Sequence, residues 1–561
     1  MDNYQIAEIF SLLSKLTDIH AENNFKAKSY SIAAFHIEKL PEQLTETPKE
    51  KIASMKGIGE SSAKKIIEIL ETGSLKALQE LIEKTPIGVI EMLNIKGIGP
   101  KKISTIWKEM EIESIGELLY ACKENRLKLY KGFGEKTQQS IIDTIEFYLS
   151  SQGSNLYPQV EAVEPQITPY LQKLFGTENV YLTGSFKRQI EIIDELEYVV
   201  KSSIENIKPR FQTANPPELL EENTDSILYK LLNGLKLRLY SETESFEKKC
   251  FFTSGSPEFV NAFIFQYPDI DFSGSSGPDD SAVFKQAGIN YIPHCLREMP
   301  EIVEKAKASP LPQLIQPEDI KGIIHSHSNW SDGSNTLEEM VNAAKEQGFE
   351  YLVISDHSKS AFYANGLTEE RIQAQHEQVD TINSKLKGFK IFKSIESDIL
   401  YDGSLDYSNA VLATFDLVIA SVHSILKMTE EKAMERLITA IENPYTTILG
   451  HLTGRLLLSR KGYPIDHKKI IDACAANNVV IELNAHPSRL DIDWREIDYA
   501  LEKKVLISID PDAHFIEGFK DNRYGVLAAQ KAMVTRKQNL SSMGLTEFEN
   551  FLQKRKILKG I

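Results

Sequence analysis

Along its C-terminal half the chain repeatedly sets a histidine or acid at the end of a short apolar run. The first group is His325-Ser326-His327, Asp332 and Asp356-His357. YLVISDH ends on His357, DLVIASVH on His423 and TTILGH on His451. FKIFKSIESDIL carries Glu396, and VLISID leads into Asp512 and His514. These runs alternate with helical segments, which predicts a parallel β/α barrel, or a barrel-like fold, from residue 321 onward. In such barrels functional side chains gather at the C-terminal ends of strands. A lone histidine is more often a core or surface residue, but this many at strand ends point to one shared task.

Imidazoles and carboxylates in that number can hold two or three divalent ions. The mixed shell suits Mn²⁺, Zn²⁺ or Fe²⁺. Close-set cations acidify water and stabilise charge on phosphate oxygens, so the chemistry expected is phosphate-ester hydrolysis. Arg455 and Arg489, near two of these strand ends, are candidate phosphate contacts, with a surface salt bridge the alternative for each.

At 561 residues the chain is too long for one core and implies about three to five folding units. The four cysteines are scattered, with no CxxC pair, which argues against a disulfide framework or thiolate zinc site and fits a reducing, cytoplasmic setting. The N-terminus lacks a basic segment followed by an apolar core, and no run is long enough to cross a bilayer. A formal net charge of −16 taken alone disfavours nucleic acid as a partner. The distribution matters more, however: the first 150 residues are close to neutral and carry lysine clusters.

That first stretch reads as helical, as in IAEIFSLLSKL and AKKIIEIL. Within it one pattern recurs: Met55-Lys56-Gly57-Ile58-Gly59, Ile95-Lys96-Gly97-Ile98-Gly99 and Tyr130-Lys131-Gly132-Phe133-Gly134. Glycines allow positive φ and close backbone approach, and the N–H groups opening the next helix can hold a phosphate. The plain alternative is a helix–glycine–helix turn that only packs. Three copies beside lysines resemble the helix-hairpin-helix motifs of DNA-repair proteins, which grip the DNA backbone without reading sequence. Gly57, Gly59, Gly97, Gly99, Gly132 and Gly134 are the candidate DNA-binding positions.

Residues near 155 to 240 turn strand-like (NVYLTGS, LEYVV, LKLRLYS), residues 245 to 310 read as mixed strand and helix, and 309 to 320 is a proline-punctuated linker. Gly184-Ser185-Phe186-Lys187-Arg188, then Glu191 and Glu195-Leu196-Glu197, resemble the palm of family X DNA polymerases. There a Gly-Ser opening cradles nucleotide phosphates and an Asp-x-Asp pair binds two Mg²⁺ ions. Phe251-Phe252-Thr253-Ser254-Gly255 resembles the nucleotide-side turn of the same family. The departures touch the chemistry: Glu195 and Glu197 replace the aspartates, Asp194 replaces the preceding glycine, and Lys236 stands where the third carboxylate is expected. An extra methylene moves each carboxylate by roughly 1 Å, enough to spoil near-attack geometry, and an ammonium repels a metal ion. Weak or absent nucleotide transfer is therefore expected. The first residues also resemble the lyase domain of that family, with Lys65 at the Schiff-base position. Lys65 read simply as a phosphate contact, like Lys26 and Lys28, is the preferred alternative.

The C-terminal part resembles the PHP (polymerase and histidinol phosphatase) domain, through HSHSNWSDG, SDHS, SIESD, SVHS, LGHLTGR and DAH. The resemblance implies nine ligands: His325, His327, Glu396 and Asp512 on one ion; Glu396 bridging to a second held by His423 and His451; and Asp332, His357 and His514 on a third. Glu396, His325 and Asp512 would be the catalytic core. Ile323 and Ile324 before HxH, and Ser394 in place of a common glycine, are non-ligand departures.

Together these readings predict a multidomain α+β and α/β chain. Its parts are a helical lyase-like domain (1–85), a fingers-like helix-hairpin-helix domain (86–152), a degenerate palm (153–243), a thumb-like domain (244–308), a linker (309–320) and a distorted β/α PHP barrel (321–561). The expected partner is DNA that is gapped, nicked or presents 3′ ends; no membrane association is expected and no protein partner follows from the sequence. The expected activity is a metal-dependent 3′-to-5′ exonuclease, with Mg²⁺ possible at the polymerase-like site. A small-molecule phosphatase of the histidinol-phosphatase type, a gap-filling polymerase that is still active, and a catalytically silent DNA-binding scaffold are the alternatives.

Overall fold

The computed structural model describes residues 2–21, 24–38, 40, 42–95, 97–150, 153–211, 216–272 and 280–561. It divides into two compact units, residues 1–148 and 149–561.

The first unit is helical. Its three glycine hairpins share one geometry. Gly57, Gly97 and Gly132 take φ of +81°, +94° and +96°, a conformation that L side chains disfavour. Gly59 and Gly99 are the N-caps of the helices Glu60–Thr72 and Pro100–Lys108, and Gly134 immediately precedes Glu135–Ser150. Open space surrounds Gly59, Gly99 and Gly134, so each helix start is free to meet another backbone. Lys96 of the second hairpin lies outside the described residues.

The second unit opens with a five-stranded mixed sheet. Its strands are β1 (Val180–Thr183), β2 (Leu196–Val200), β3 (Glu218–Glu222), β4 (Ser226–Lys230) and β5 (Lys236–Ser241), in the order β1-β2-β5-β4-β3. The inner face of β2, with Leu196, Tyr198 and Val200, packs on Leu171, Ile227 and Leu237. Residues 245–310, read from sequence as mixed, carry helices and no strand among the described residues. The aromatic crowding of Phe251, Phe259, Phe263 and Phe284 explains this: these rings lie at helical spacing and form their own small core.

Residues 321–561 form a parallel sheet of seven strands: β6 (Gly322–Ser326), β7 (Tyr351–Ile354), β8 (Lys390–Asp398), β9 (Leu417–Ser421), β10 (Thr446–Leu449), β11 (Val480–Asn484) and β12 (Ile507–Asp510). They pair strictly in sequence order, and a parallel bridge from Ser326 to Ala513 brings the first strand to the last, giving a nearly closed barrel. β6, β7, β9, β10, β11 and β12 are buried along their whole length, as expected when helices cover a parallel sheet. No helix among the described residues is long and apolar enough to cross a membrane.

Candidate metal centre

Every one of the nine residues singled out in the barrel sits on or just beyond the C-terminal end of a strand. His325 is the last residue but one of β6 and His327 follows the strand, with Asp332 in the next turn; His357 follows β7, Glu396 lies late in β8, and His423 and His451 follow β9 and β10. Asp512 and His514 follow β12. Because the strands are parallel, all of these ends face the same way. Eight of the nine are buried, and the His423 side chain is 10% exposed.

Glu396 lies at the centre. One carboxylate oxygen is 3.2 Å from His325 Nε2, 3.1 Å from His423 Nε2 and 2.9 Å from His451 Nε2. The other is 3.0 Å from His357 Nδ1 and 3.7 Å from His327 Nε2. Asp512 Oδ1 is 3.1 Å from His327 and 3.4 Å from His325. Asp332 stands 3.6 Å from both His357 and His514. Three subsets bring their ligand atoms within 4.8 Å of one another: His325, His327 and Asp512; His357, Glu396 and His423; and His327, Asp332, His357 and His514. Eight of the nine fall in these subsets, His327 and His357 in two each, and His451 joins them through Glu396.

This donor set fits divalent cations. His325 Nε2, His357 Nδ1, Glu396 Oε2 and His514 Nε2 are buried without a hydrogen bond, although partner atoms stand only 3.0–3.7 Å away. A buried polar atom left in that state costs about 1–3 kcal/mol, which a cation between the facing lone pairs would relieve. The electrostatics agree. Burial alone pushes the Glu396 and Asp512 carboxyls up, but the surrounding imidazoles, led by His423 for Glu396 and His325 for Asp512, hold both well below the usual range. Burial holds His514 down at about 4 and, with Arg489, His451 at about 4.

Apart from Asp356, a second layer escaped the sequence reading. Glu482 Oε2 is 2.8 Å from His325 Nδ1, and Asp398 Oδ1 is 2.5 Å from His423 Nδ1. Each carboxylate takes the far ring nitrogen and turns Nε2 toward Glu396. Asp356 accepts from Ser328 N–H and Oγ, Ser331 Oγ and Gln375 Nε2, fixing the turn that carries Asp332. Asn484 Nδ2 donates to Asp512 Oδ2 at 3.1 Å. The signal available for Glu482 and Asp398 was their place late in apolar runs. His325 and Asp512 adopt φ of +59° and +53°, and the β6–β7 register slips between Ile323 and Ser326. Irregular backbone of this kind concentrates at functional sites. Of the two candidate phosphate-binding arginines, Arg455 is committed to Asp493 and to backbone carbonyls, whereas Arg489 Nε lies 3.8 Å from Asp512.

The palm-like site is arranged differently. Sequence placed Lys236 at the third-acid position, but Lys236 lies opposite Lys230 in the ladder, and Arg238 is the residue beside Glu197 on the neighbouring strand. Arg238 grips Glu195 with two nitrogens, at 2.5 and 3.0 Å. Glu197 accepts from Tyr240 Oη at 2.9 Å and from the Ser185 backbone N–H at 3.0 Å. Its carboxylate fills the space where a Cβ on Gly184, at φ +71°, would stand. Arg188 is held by Glu298 at 2.6 Å. In the first unit, Lys65 Nζ rests 5.5 Å from the Tyr30 ring centroid.

Known proteins resemble the chain both in its separate domains and along its length. Residues 1–75 match the helix-hairpin-helix domain family, 89–146 the SAM-like helix-hairpin-helix tandem and 324–486 the PHP domain. A DNA polymerase/3′-5′ exonuclease PolX of Bacillus subtilis (strain 168) is 30% identical over 590 residues, covering 99% of this chain and 100% of its own. A probable phosphatase of Caldicellulosiruptor saccharolyticus is 30% identical over 206 residues, 34% of this chain and 79% of its own. Another, from Acetivibrio thermocellus, is 31% identical over 169 residues, 29% of this chain and 64% of its own. With likeness running the full length of one relative and a PHP domain behind paired helix-hairpin-helix regions, the chain belongs to the bacterial PolX family.

Proposed function

We propose that this protein binds DNA and trims its 3′ ends, its PHP domain hydrolysing phosphodiesters with two or three divalent ions (Mn²⁺, Zn²⁺ or Fe²⁺). The observation that carries this reading is the convergence of five imidazoles on the Glu396 carboxylate. His325, His327 and Asp512 would hold one ion, His423 and His451 a second shared through Glu396, and Asp332, His357 and His514 a third. Such ions, when bound, acidify water and neutralise charge on the phosphate. The chain's own share is to fix the donors. Glu482 and Asp398 set the ring orientation of His325 and His423, and Asn484 steadies Asp512. Arg489, next to Asp512, is placed to meet a phosphate oxygen.

The helical domains (1–85 and 86–152) would hold DNA that is gapped, nicked or presents 3′ ends through the hairpin N–H groups near Gly57, Gly59, Gly97, Gly99, Gly132 and Gly134. Lys65 would act there as a phosphate contact rather than a lyase nucleophile. The palm-like and thumb-like parts (153–243 and 244–308) would serve as scaffold, with nucleotide transfer weak or lost. That reading is supported by the internal partners of the palm: a guanidinium on Glu195, and the Ser185 N–H turned to Glu197 instead of a nucleotide phosphate. The setting would be cytoplasmic.

The test is a 5′-labelled oligonucleotide incubated with a series of metals. Mononucleotide release from the 3′ end with Mn²⁺, abolished by His325→Ala or Asp512→Ala, is the expected result. DNA that stays full length while p-nitrophenyl phosphate is hydrolysed would transfer the site to a small-molecule phosphatase. Primer extension by the wild type that disappears in Glu195→Ala would overturn the reading of the palm.

A further inference from the structure

Between residue 321 and the C-terminal helix Leu545–Lys559, the exposed large apolar side chains are Phe362 (80%), Tyr401 (55%), Ile425 (47%) and Leu458 (42%). Scattered exposed apolar residues are ordinary. These are not scattered: each lies in a loop that leaves the C-terminal end of a barrel strand, and those ends carry the metal-ligand candidates. Phe362 is five residues past His357, Ile425 two past His423 and Leu458 seven past His451. Tyr401 is set aside, because Lys432 covers its ring, with Nζ 4.3 Å from the centroid.

Phe362 and Leu458 stand on loops tied by backbone hydrogen bonds, and Ile425 follows Ser424, whose carbonyl accepts from Arg436. The loop bearing Phe362 is tied by Leu367 N–H to the His357 carbonyl, by Gly366 N–H to the Ala361 carbonyl and by Ser360 N–H to Asp406. Arg371 clamps it further through the Asn365 and Gly366 carbonyls. Leu458 tips a tight turn closed by paired Leu456–Arg460 backbone bonds and anchored by Leu457 N–H on the Ser488 carbonyl. Ile425 and Leu458 take φ of +54° and +60°, a costly conformation for residues with branched side chains. Each tip also has a cation nearby in sequence: Lys359, which pairs with Glu369, beside Phe362; Lys427 beside Ile425; and Lys461 beside Leu458.

We infer that Phe362, Ile425 and Leu458 form a base-binding rim around the mouth of the metal centre. It takes the splayed nucleobases of a single-stranded DNA end while the adjacent lysines meet its backbone. This deepens the exonuclease reading and rests on it. Rigid aromatic and apolar tips interleaved with cations are the chemistry of sequence-tolerant single-strand binding, since every base has a π-face. A compact phosphomonoester would use none of it. The rim therefore sets the substrate as an unpaired end rather than a duplex terminus or a small molecule.

The experiment uses the full-length protein, a single-stranded oligonucleotide and the same oligonucleotide with its last three nucleotides made abasic. Phe362→Ala is expected to raise KM for the normal end at least tenfold with kcat held, and Phe362→Trp to restore it. Ile425→Ala and Leu458→Ala should each raise KM a few-fold, with bound metal, measured by mass spectrometry, equal to wild type. On the abasic end the wild type should fall to the level of Phe362→Ala, and the substitution should cost nothing more. If wild type trims DNA and all three alanine variants trim it equally well, the inference is overturned and the rim is a protein-contact surface. If wild type trims no DNA, the exonuclease reading itself has failed and the rim goes with it.

Discussion

The palm-like site and the barrel site solve one electrostatic problem in opposite ways. Each gathers carboxylates at strand ends, and each must neutralise them. In the barrel the neutralising groups are imidazoles, which become ligands once they lose a proton. In the palm the groups are Arg238, which keeps its proton at any physiological pH, and the Tyr240 hydroxyl. A guanidinium bonded to both oxygens of Glu195 occupies the carboxylate as a cation would, and it cannot be displaced without stranding a half-buried acid. Carboxylates alone therefore do not define a metal site; the protonation chemistry of their neighbours decides.

The comparison breaks most visibly at Glu396. Glu396→Gln removes the charge that five rings share, and mononucleotide release should drop by at least three orders of magnitude, with metal content by mass spectrometry falling in parallel. Retained activity would mean that the rings do not form one centre. The palm offers the converse. In the Glu396→Gln background, Arg238→Ala should free Glu195 and let the palm bind Mn²⁺ at least tenfold more tightly than the parent, read by electron paramagnetic resonance. No gain would show that the glutamates, and not the arginine, disable the palm.

What the sequence conveyed about these two sites differs for a physical reason. The barrel's candidate ligands stand out in the sequence because most of them close or follow an apolar run, and runs of that type mark buried parallel strands one at a time. How they would be shared among ions was less legible: His327 and His357 each belong to two groups, an overlap that spacing does not encode. In the palm, Gly184, Ser185, Glu195 and Glu197 were visible, but the identity of the opposing base was not. Register between β2 and β5 depends on pairing across some forty residues, and a shift of two positions separates Lys236 from Arg238. Glu482 and Asp398 were likewise hidden, because a buried acid behind a histidine reads in sequence like any polar break in a strand.

Those two acids sharpen the comparison at an intermediate scale. If the barrel site works because its rings are aimed, weakening the aim should loosen metal without emptying the site. Glu482→Gln and Asp398→Asn should each lower Mn²⁺ affinity about 10- to 100-fold, measured by calorimetric titration. They should do so on different ions, since Glu482 backs His325 and Asp398 backs His423. Equal weakening of every bound ion by either change would show a general loss of packing instead.

The smallest effect expected lies where the two regions touch. Lys531, from the helix Asn522–Lys531, donates to the carbonyls of Arg188 at 2.9 Å and Cys295 at 3.2 Å, and stands 3.6 Å from Glu298. It thereby ties the barrel to the palm turn and to the helical segment beyond it. Burial pushes its ammonium down to about 8, with Glu298 restoring only part of the charge preference. The sign follows directly. Between pH 8 and the unfolded value near 10.5 the unfolded chain holds the extra proton, so this residue makes the fold more stable as pH rises through that window and less stable below it. Lys531→Met should remove that slope. The difference in melting temperature between wild type and variant should change by on the order of a few degrees from pH 7.5 to pH 9.5. A flat difference would mean that Lys531 keeps its proton in the fold throughout that range, and that the palm and barrel meet through a buried charge held by Glu298 and the two carbonyls.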